Sequence, residues 1–209
     1  MSEVLNRIGQ QRVLPVLRSA DTDDAVATAR ACARGGLKVI ELTRSTPRVE
    51  DALNALAEDD DLLLGVGTVT NPEQVRSAAA AGARFVVSFA APDGLVETAH
   101  ELGMIAIPGA LTATEVLRAT QRGADAVKLF PASAVEPGYL RDLAAVMPGV
   151  RILVTGGLRA TPDSVQPWLD VGALAVGIGS DLGSVAVHGT DEVERRAALA
   201  LNAASRASA

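Results

Sequence analysis

The sequence predicts a closed (β/α)8 barrel, a TIM barrel, in a single domain that spans residues 1–209. Eight short apolar runs follow one another along the chain, each beginning roughly 20–25 residues after the last, and this spacing leaves room for a loop, a helix and a second loop. Signals for helix starts and stops lie in the segments between the runs. Consecutive βα units of this kind place their strands in parallel, and eight of them close into a barrel.

Each apolar run is predicted to be one strand of the barrel. The predicted strands are Val13–Leu17, Val39–Thr43, Leu63–Gly67, Phe85–Ser88, Ile105–Pro108, Ala126–Leu129, Ile152–Thr155 and Ala175–Ile178. A short helix at Glu3–Gln10 is expected before the first strand, and the last helix is expected at Thr190–Ala207.

Helix boundaries between the strands are marked by their residue types. Asn71–Pro72 and Thr161–Pro162 each have the pattern of an N-cap followed by proline at the first helical position. Thr112–Glu115 has the pattern of a capping box. The alternative fold is an open doubly wound sheet, which usually has a glycine-rich loop after its first strand. Here Arg18–Asp21 follows that strand and contains no glycine, which favours the barrel.

Composition excludes several classes of function. Hydrophobic residues make up 48% of the chain, which suffices for a large core, and the formal net charge is −6. Because non-specific nucleic-acid binding needs clustered cations, and no run of Lys or Arg occurs, a nucleic-acid partner is disfavoured. No apolar stretch reaches the roughly 18 residues that a membrane span needs, and the first twelve residues do not have the pattern of a secretory signal. We therefore expect a cytoplasmic protein with no membrane partner.

Polar residues occupy strand positions that are predicted to face the barrel interior. In such barrels the chemistry lies at the carboxyl ends of the strands. Since side chains alternate between the two faces of a strand, Glu41 and Thr43 should face inward, opposite the apolar side that packs on the helices. The same alternation places Lys128 inward and puts Arg18 on one face with Leu14 and Val16.

Lys128 and Glu41 allow two interpretations. They could form a structural ion pair, or the lysine could reach solvent at the end of its strand. Alternatively, the apolar neighbours of Lys128 disfavour its ammonium form, and a neutral amine is what attack on a ketone requires. A carboxyl group beside such an amine can move protons, so the pair has the parts of a Schiff-base enzyme.

Glycine-rich loops follow the last two predicted strands, where barrels often bind phosphate. Thr155 is followed by Gly156 and Gly157, and the last strand leads into Gly179 and Ser180. Glycines let backbone N–H groups approach an anion closely. These two loops together predict a phosphate site.

The sequence resembles the 2-keto-3-deoxy-6-phosphogluconate (KDPG) and 4-hydroxy-2-oxoglutarate (KHG) aldolase family, which includes 2-keto-3-deoxy-6-phosphogalactonate aldolases. The resemblance covers nearly the whole chain, from PVLR to GIGSDL. Its most specific segments are VIELT, GVGTV, IPG, VKLFPAS and VTGG. The resemblance implies a class I aldolase, or carbon–carbon lyase, that needs neither metal nor cofactor and assembles as a homotrimer. Its ligands would be pyruvate and a phosphorylated 2-keto-3-deoxy sugar acid.

Residue roles follow from the resemblance motif by motif. Lys128 would form the Schiff base and Glu41 would be the general acid and base. Substrate contacts are expected from Arg18, Thr43, Arg44, Thr68, Ser88, Pro108, Phe130 and Thr155. Phosphate contacts are expected from Gly156, Gly157, Gly179 and Ser180.

The substrate assignment is complicated by departures from the family pattern. Many gluconate-type members have an arginine four residues after the glutamate, where this chain has Ser45, and Arg18 is the candidate to supply the missing charge. Arg18 resembles an arginine of galactonate-type members, whereas Thr155 before the glycine pair resembles gluconate-type enzymes. Phe89 stands where the family often has proline. KDPG is the first choice of substrate; the galactonate epimer and 4-hydroxy-2-oxoglutarate are the alternatives.

Two other functions are compatible with part of the pattern. A phosphate-binding synthase or epimerase barrel, such as a thiamine-phosphate-synthase-like protein, would use the glycine loops but leaves Lys128 and Glu41 unexplained. A barrel that only binds a phosphorylated metabolite is the non-enzyme alternative. His100 and His188 are far apart in sequence and are predicted to be surface residues.

Overall fold

The computed structural model describes residues 3–205, and strands and helices alternate through this range. The strands are β1 Val13–Leu17, β2 Val39–Thr43, β3 Leu63–Gly67, β4 Phe85–Val87, β5 Ile105–Ile107, β6 Gly109–Ala110, β7 Val127–Leu129, β8 Ile152–Thr155 and β9 Ala175–Ile178. The α-helices are α1 Glu3–Gln11, α2 Thr22–Arg34, α3 Val49–Leu56, α4 Pro72–Ala80, α5 Leu95–Glu101, α6 Ala113–Gln121, α7 Pro137–Val146, α8 Pro162–Asp170, α9 Val185–His188 and α10 Thr190–Ser205.

The strands form one parallel sheet that runs in the order β5-β4-β3-β2-β1-β9-β8-β7-β6. Its two outermost strands, β5 and β6, are consecutive in the chain and are separated by Pro108 alone. Pro108 lacks a backbone N–H, and it divides the fifth predicted strand into one part that pairs with β4 and another that pairs with β7. The ring therefore closes through this divided strand, which confirms the predicted (β/α)8 barrel.

Strand alternation sorts the core into two layers, as predicted. Ile40 and Leu42 pack on the helices, whereas Val39 belongs to a separate cluster inside the ring, together with Leu14 and Phe85. Helix α1 covers the amino-terminal opening of the barrel, because its buried residues Val4, Leu5 and Ile8 join this inner cluster. Apolar side chains thus fill the amino-terminal half of the barrel and leave the carboxyl-terminal half for polar residues.

Most predicted boundaries are correct to within a residue or two. The predicted capping box at Thr112–Glu115 is present, with hydrogen bonds in both directions. Asn71 caps α4 through its side chain, whereas Thr161 precedes α8 without a side-chain cap. Residues 206–207 of the predicted last helix lie outside the described residues. None of the helices between residues 3 and 205 has the length and apolar composition needed to cross a lipid bilayer.

Candidate active site

A cavity of about 560 Å³ lies at the carboxyl-terminal ends of the strands. Eleven of the fourteen predicted site residues line it: Arg18, Glu41, Thr43, Thr68, Lys128, Phe130, Thr155, Gly156, Gly157, Gly179 and Ser180. These residues come from six strands and the loops that follow them, so the fold brings together what the sequence separates by more than 160 positions.

Glu41 and Lys128 form an ion pair beneath this cavity. Lys128 Nζ lies 3.7 Å from Glu41 Oε1, which is an ionic contact but longer than a hydrogen bond. Glu41 is fully buried and Lys128 is 5% exposed. Within the described chain neither carboxylate oxygen of Glu41 has a hydrogen-bond partner. Burial raises the pKa of Glu41 above its ordinary value, and the charge of Lys128 opposes this rise.

Lys128 is held by neighbours on both sides of its strand. Its backbone N–H donates to the carbonyl oxygen of Pro108 at 2.8 Å. Its ammonium group lies 5.6 Å from the centre of the Phe130 ring, within the range of a cation–π contact. The nucleophile is thus fixed on a strand and packed between a carboxylate and an aromatic face.

Gly67 provides the space that the Glu41 carboxylate occupies. A Cβ atom at Gly67 would overlap Glu41 Oε1. In the same segment, a Cβ atom at Gly65 would overlap the ring of Phe85, which fills the barrel axis below. The glycines of the GVGT segment are therefore required by packing against the centre of the barrel.

Thr68 follows directly and has a left-handed backbone, with φ of 63°. This conformation is unusual for a β-branched residue and costs on the order of 1–3 kcal/mol. Thr68 lines the cavity, so the strained residue lies at the site itself.

Arg18 is connected to the interior by a chain of hydrogen bonds. Its Nε donates to Ser45 Oγ at 3.0 Å, and Ser45 Oγ lies 2.7 Å from Thr43 Oγ1. Arg18 and Thr43 line the cavity. Ser45 thus orients Arg18, which directly follows β1.

Three predicted contacts do not line the cavity: Arg44, Ser88 and Pro108. The guanidinium of Arg44 is paired with Glu50 and also donates to Ser77 Oγ. Each of the three residues directly follows an inward-facing position, so alternation turns it away from the axis. For these residues the contact with substrate stays a prediction, and the carbonyl oxygen of Pro108 accepts a hydrogen bond from the backbone N–H of Lys128.

The two glycine loops follow the neighbouring strands β8 and β9, and both line the cavity. Gly156 and Gly157 have φ of 111° and 79°, conformations that glycine adopts at little cost. A Cβ atom at Gly177 would overlap Thr155 Oγ1, a buried hydroxyl that has no hydrogen-bond partner within residues 3–205. The carboxylate of Asp181 accepts from the backbone N–H of Ala160 at 2.7 Å, which ties the two loops together.

Several residues at the mouth of the cavity were not predicted. Phe89 lines the cavity and is 47% exposed; continued alternation after β4 was the signal that could have found it. Ser184, Val187 and His188 also line the cavity. They belong to α9 and its N-cap, a single turn too short to produce periodicity in the sequence. His188 is exposed as predicted, but it also faces the site.

The described residues do not form an evident metal centre. No group of three or more His, Cys, Asp or Glu side chains between residues 3 and 205 could hold a metal ion. The groups that the cavity offers for chemistry are therefore an amine, a carboxyl group, hydroxyls, a guanidinium, an imidazole and backbone amides.

The chain is similar to several aldolases over most of its length. It is 35% identical over 173 residues to the 2-dehydro-3-deoxy-6-phosphogalactonate aldolase of Escherichia coli K12, covering 81% of this chain and 83% of that protein. It is 39% identical over 159 residues to a 2-dehydro-3-deoxy-phosphogluconate aldolase of Treponema pallidum, covering 75% and 74% of the two chains.

The chain is also similar to an aldolase whose structure has been solved. The KDPG aldolase of Legionella pneumophila, with pyruvate captured as a covalent carbinolamine, superposes with a TM-score of 0.85 at 27% identity. The superposition covers 94% of this chain and 97% of that one.

The close fit between Gly67 and Glu41 can be tested by a double-mutant cycle on stability. We expect Gly67→Ala to lower the free energy of unfolding by about 1–3 kcal/mol, because the added methyl group overpacks the centre of the barrel. Measured by urea denaturation, this loss should be smaller in the Glu41→Ala background, where the carboxylate is absent.

Gly138→Ala is the matched control, because a Cβ atom there meets only the flexible end of Arg141. An equal loss for Gly67→Ala in both backgrounds would contradict the proposed steric role.

The match to a family model covers most of the chain. The family model described as KDPG and KHG aldolase matches residues 4–199, a range that contains every residue of the cavity. Together with the relatives of 35% and 39% identity, this match establishes that the chain belongs to the KDPG and KHG aldolase family and is an aldolase.

Proposed function

We propose that this protein is a class I aldolase that cleaves 2-keto-3-deoxy-6-phosphogluconate to pyruvate and glyceraldehyde 3-phosphate. The observation that carries the proposal is the buried pair of Lys128 and Glu41, whose charged atoms lie 3.7 Å apart. Both residues line a cavity that is also lined by the two glycine loops. A purely structural ion pair would not need an open cavity above it. The pyruvate carbinolamine in the Legionella pneumophila KDPG aldolase supports the same chemistry.

The reaction starts when the ammonium of Lys128 gives a proton to Glu41, and the neutral amine then adds to the C2 ketone of the substrate. The resulting carbinolamine takes this proton back from Glu41 and loses water to give an iminium ion, which withdraws electrons from the adjacent carbons. Glu41 takes the proton of the C4 hydroxyl, the C3–C4 bond breaks, and its electron pair moves to C3 to form an enamine. Glyceraldehyde 3-phosphate leaves at this step.

The second half of the reaction regenerates the enzyme. Protonation of the enamine at C3 and hydrolysis of the iminium release pyruvate and restore the amine of Lys128. Because burial raises the pKa of Glu41, this carboxyl group holds a proton more readily than an exposed glutamate. That property suits a group that must both accept and return a proton.

The carboxylate and the phosphate of the substrate are proposed to bind to different residues of the cavity. Arg18, held by Ser45, would bind the carboxylate of the substrate, since a guanidinium pairs well with a planar carboxylate. The backbone N–H groups around Gly156, Gly157 and Gly179 would bind the phosphate. The hydroxyl of Thr155, which has no hydrogen-bond partner within residues 3–205, would bind a substrate hydroxyl.

The galactonate epimer is the second candidate substrate. It is favoured by the position of Arg18 and by the similarity to the E. coli phosphogalactonate aldolase. Comparing cleavage of the two C4 epimers distinguishes these candidates. The homotrimer and the cytoplasmic location stay predictions from the sequence.

Borohydride trapping tests the aldolase proposal, and the chain suits it because it contains only two lysines, Lys128 and Lys38. Reduction in the presence of pyruvate should leave a pyruvyl adduct on the peptide that contains Lys128. Lys128→Ala should abolish both adduct and turnover. Lys38→Ala is the matched control, because the Lys38 side chain is 44% exposed and pairs with Asp61.

An adduct that survives in Lys128→Ala, or none in the wild type, would overturn the Schiff-base mechanism. Turnover should also be unaffected by EDTA. Inhibition by the chelator would indicate a metal-dependent route instead.

Substitution of Arg18 and of Arg44 tests which arginine binds the carboxylate of the substrate. Arg18→Met should raise KM about 10- to 100-fold, the range expected for loss of a hydrogen bond to a charged group. Arg44→Met should leave KM within about twofold, because Arg44 is paired outside the cavity. Steady-state kinetics of both variants measure this difference, and the reverse ranking would assign the carboxylate to Arg44.

A further inference from the structure

The single turn α9 forms part of the cavity wall beside the glycine loops. Ser184, Val187 and His188 line the same cavity as Gly157 and Ser180. In many barrels of this kind, the amino-terminal end of a short extra helix helps to bind phosphate. The contacts of α9 in this chain indicate a different arrangement.

The first backbone amides of α9 are already paired with α2. The N–H of Val185 donates to Thr28 Oγ1 at 2.9 Å, and the N–H of Ala186 donates to Asp24 Oδ1 at 2.8 Å. Asp24 is 8% exposed, so a carboxylate lies behind this end of the turn. These two amides are therefore not available to an anion in the cavity, and their hydrogen bonds fix the turn to the barrel wall.

The opposite end of α9 presents His188 to the cavity. Gly183 has a left-handed φ of 72°, and a Cβ atom there would lie 2.7 Å from His188 Nε2. The imidazole thus packs directly on the backbone of the loop that follows Ser180. A side chain at position 183 would displace the imidazole.

The side chain of His188 differs in chemistry from those of the other cavity residues near the glycine loops. Among the described lining residues from 155 to 188, it is the only one with an ionisable side chain. Arg196 lies nearby, but its Nε donates to Glu192 and its Nη1 donates to the carbonyl oxygen of Asp181. Arg196 does not line the cavity, so it is a less direct partner for a bound anion.

We propose that His188 donates a hydrogen bond to the distal phosphate of the substrate and thereby sets the preference for phosphorylated over unphosphorylated sugar acids. This inference rests on the proposed aldolase function and extends its phosphate site beyond the glycine loops. Imidazole has an N–H donor in both its neutral and its protonated form. Since the bracing by Thr28 and Asp24 fixes α9 in advance, little ordering is needed on binding.

Kinetics with two substrates test this role. 2-Keto-3-deoxy-6-phosphogluconate and its unphosphorylated counterpart should be compared for the wild type, His188→Ala and His188→Gln. We expect His188→Ala to raise KM for the phosphorylated substrate about 10- to 100-fold, as for loss of a hydrogen bond to a charged group. We expect no change for the unphosphorylated one. His188→Gln should recover part of this loss, because its amide still donates.

The matched control is His100→Ala. His100 is also a partly exposed histidine, but it pairs with Asp125 at the opposite end of the barrel. It should leave the ratio of the two KM values unchanged. An equal rise in KM for both substrates in His188→Ala, or no rise for either, would overturn the proposal.

A separate binding measurement keeps the two proposals distinguishable. Titration with inorganic phosphate, followed by calorimetry, should show weaker binding for His188→Ala than for the wild type. If the wild type has no aldolase turnover but this difference is found, the proposed function fails and the phosphate contact stands. If turnover is normal but phosphate binds equally to both proteins, the contact is wrong and the aldolase proposal stands.

Discussion

A fully buried carboxylate needs a compensating charge, and within residues 3–205 the one cation paired with Glu41 is Lys128. Removing two charges from water costs several kcal/mol for each ion, and an ion pair recovers this only when its geometry is good. Here the separation is 3.7 Å, and within residues 3–205 neither carboxylate oxygen accepts a hydrogen bond. The pair is therefore poorly satisfied as a structural element. Such an arrangement is expected where the unused bonding capacity serves a substrate.

The rest of the barrel is arranged around this pair. Apolar side chains and helix α1 fill the amino-terminal half of the barrel, and the cavity opens at the carboxyl-terminal half, where Glu41 and Lys128 line it. Gly67 leaves space for the carboxylate, and the carbonyl oxygen of Pro108, at the break in the fifth strand, holds the backbone of Lys128. The interruption that divides β5 from β6 therefore also positions the nucleophile. Substrate recognition is left to the loops, where Arg18 and His188 both line the cavity.

The sequence predicted the barrel, its strand positions and the inward direction of Glu41 and Lys128, because all of these follow from spacing and alternation. Alternation also explains why Arg44, Ser88 and Pro108 do not line the cavity, because each occupies the outward position next to an inward one. The split of the fifth strand and the turn α9 could not be predicted, because each involves too few residues to produce a periodic signal. The orientation of Arg18 by Ser45 depends on a contact between two loops, which no local pattern encodes.

The central claim, that Glu41 moves protons for an iminium formed on Lys128, can be measured with pyruvate alone. Proton NMR in deuterated water follows exchange of the pyruvate methyl protons, which requires both iminium formation and a base. We expect Glu41→Gln to retain the borohydride-trapped adduct on Lys128 but to exchange at least about 100-fold more slowly than the wild type. Glu50→Gln, which alters a glutamate paired with Arg44 outside the cavity, should exchange normally. Exchange at the wild-type rate in Glu41→Gln would contradict the account.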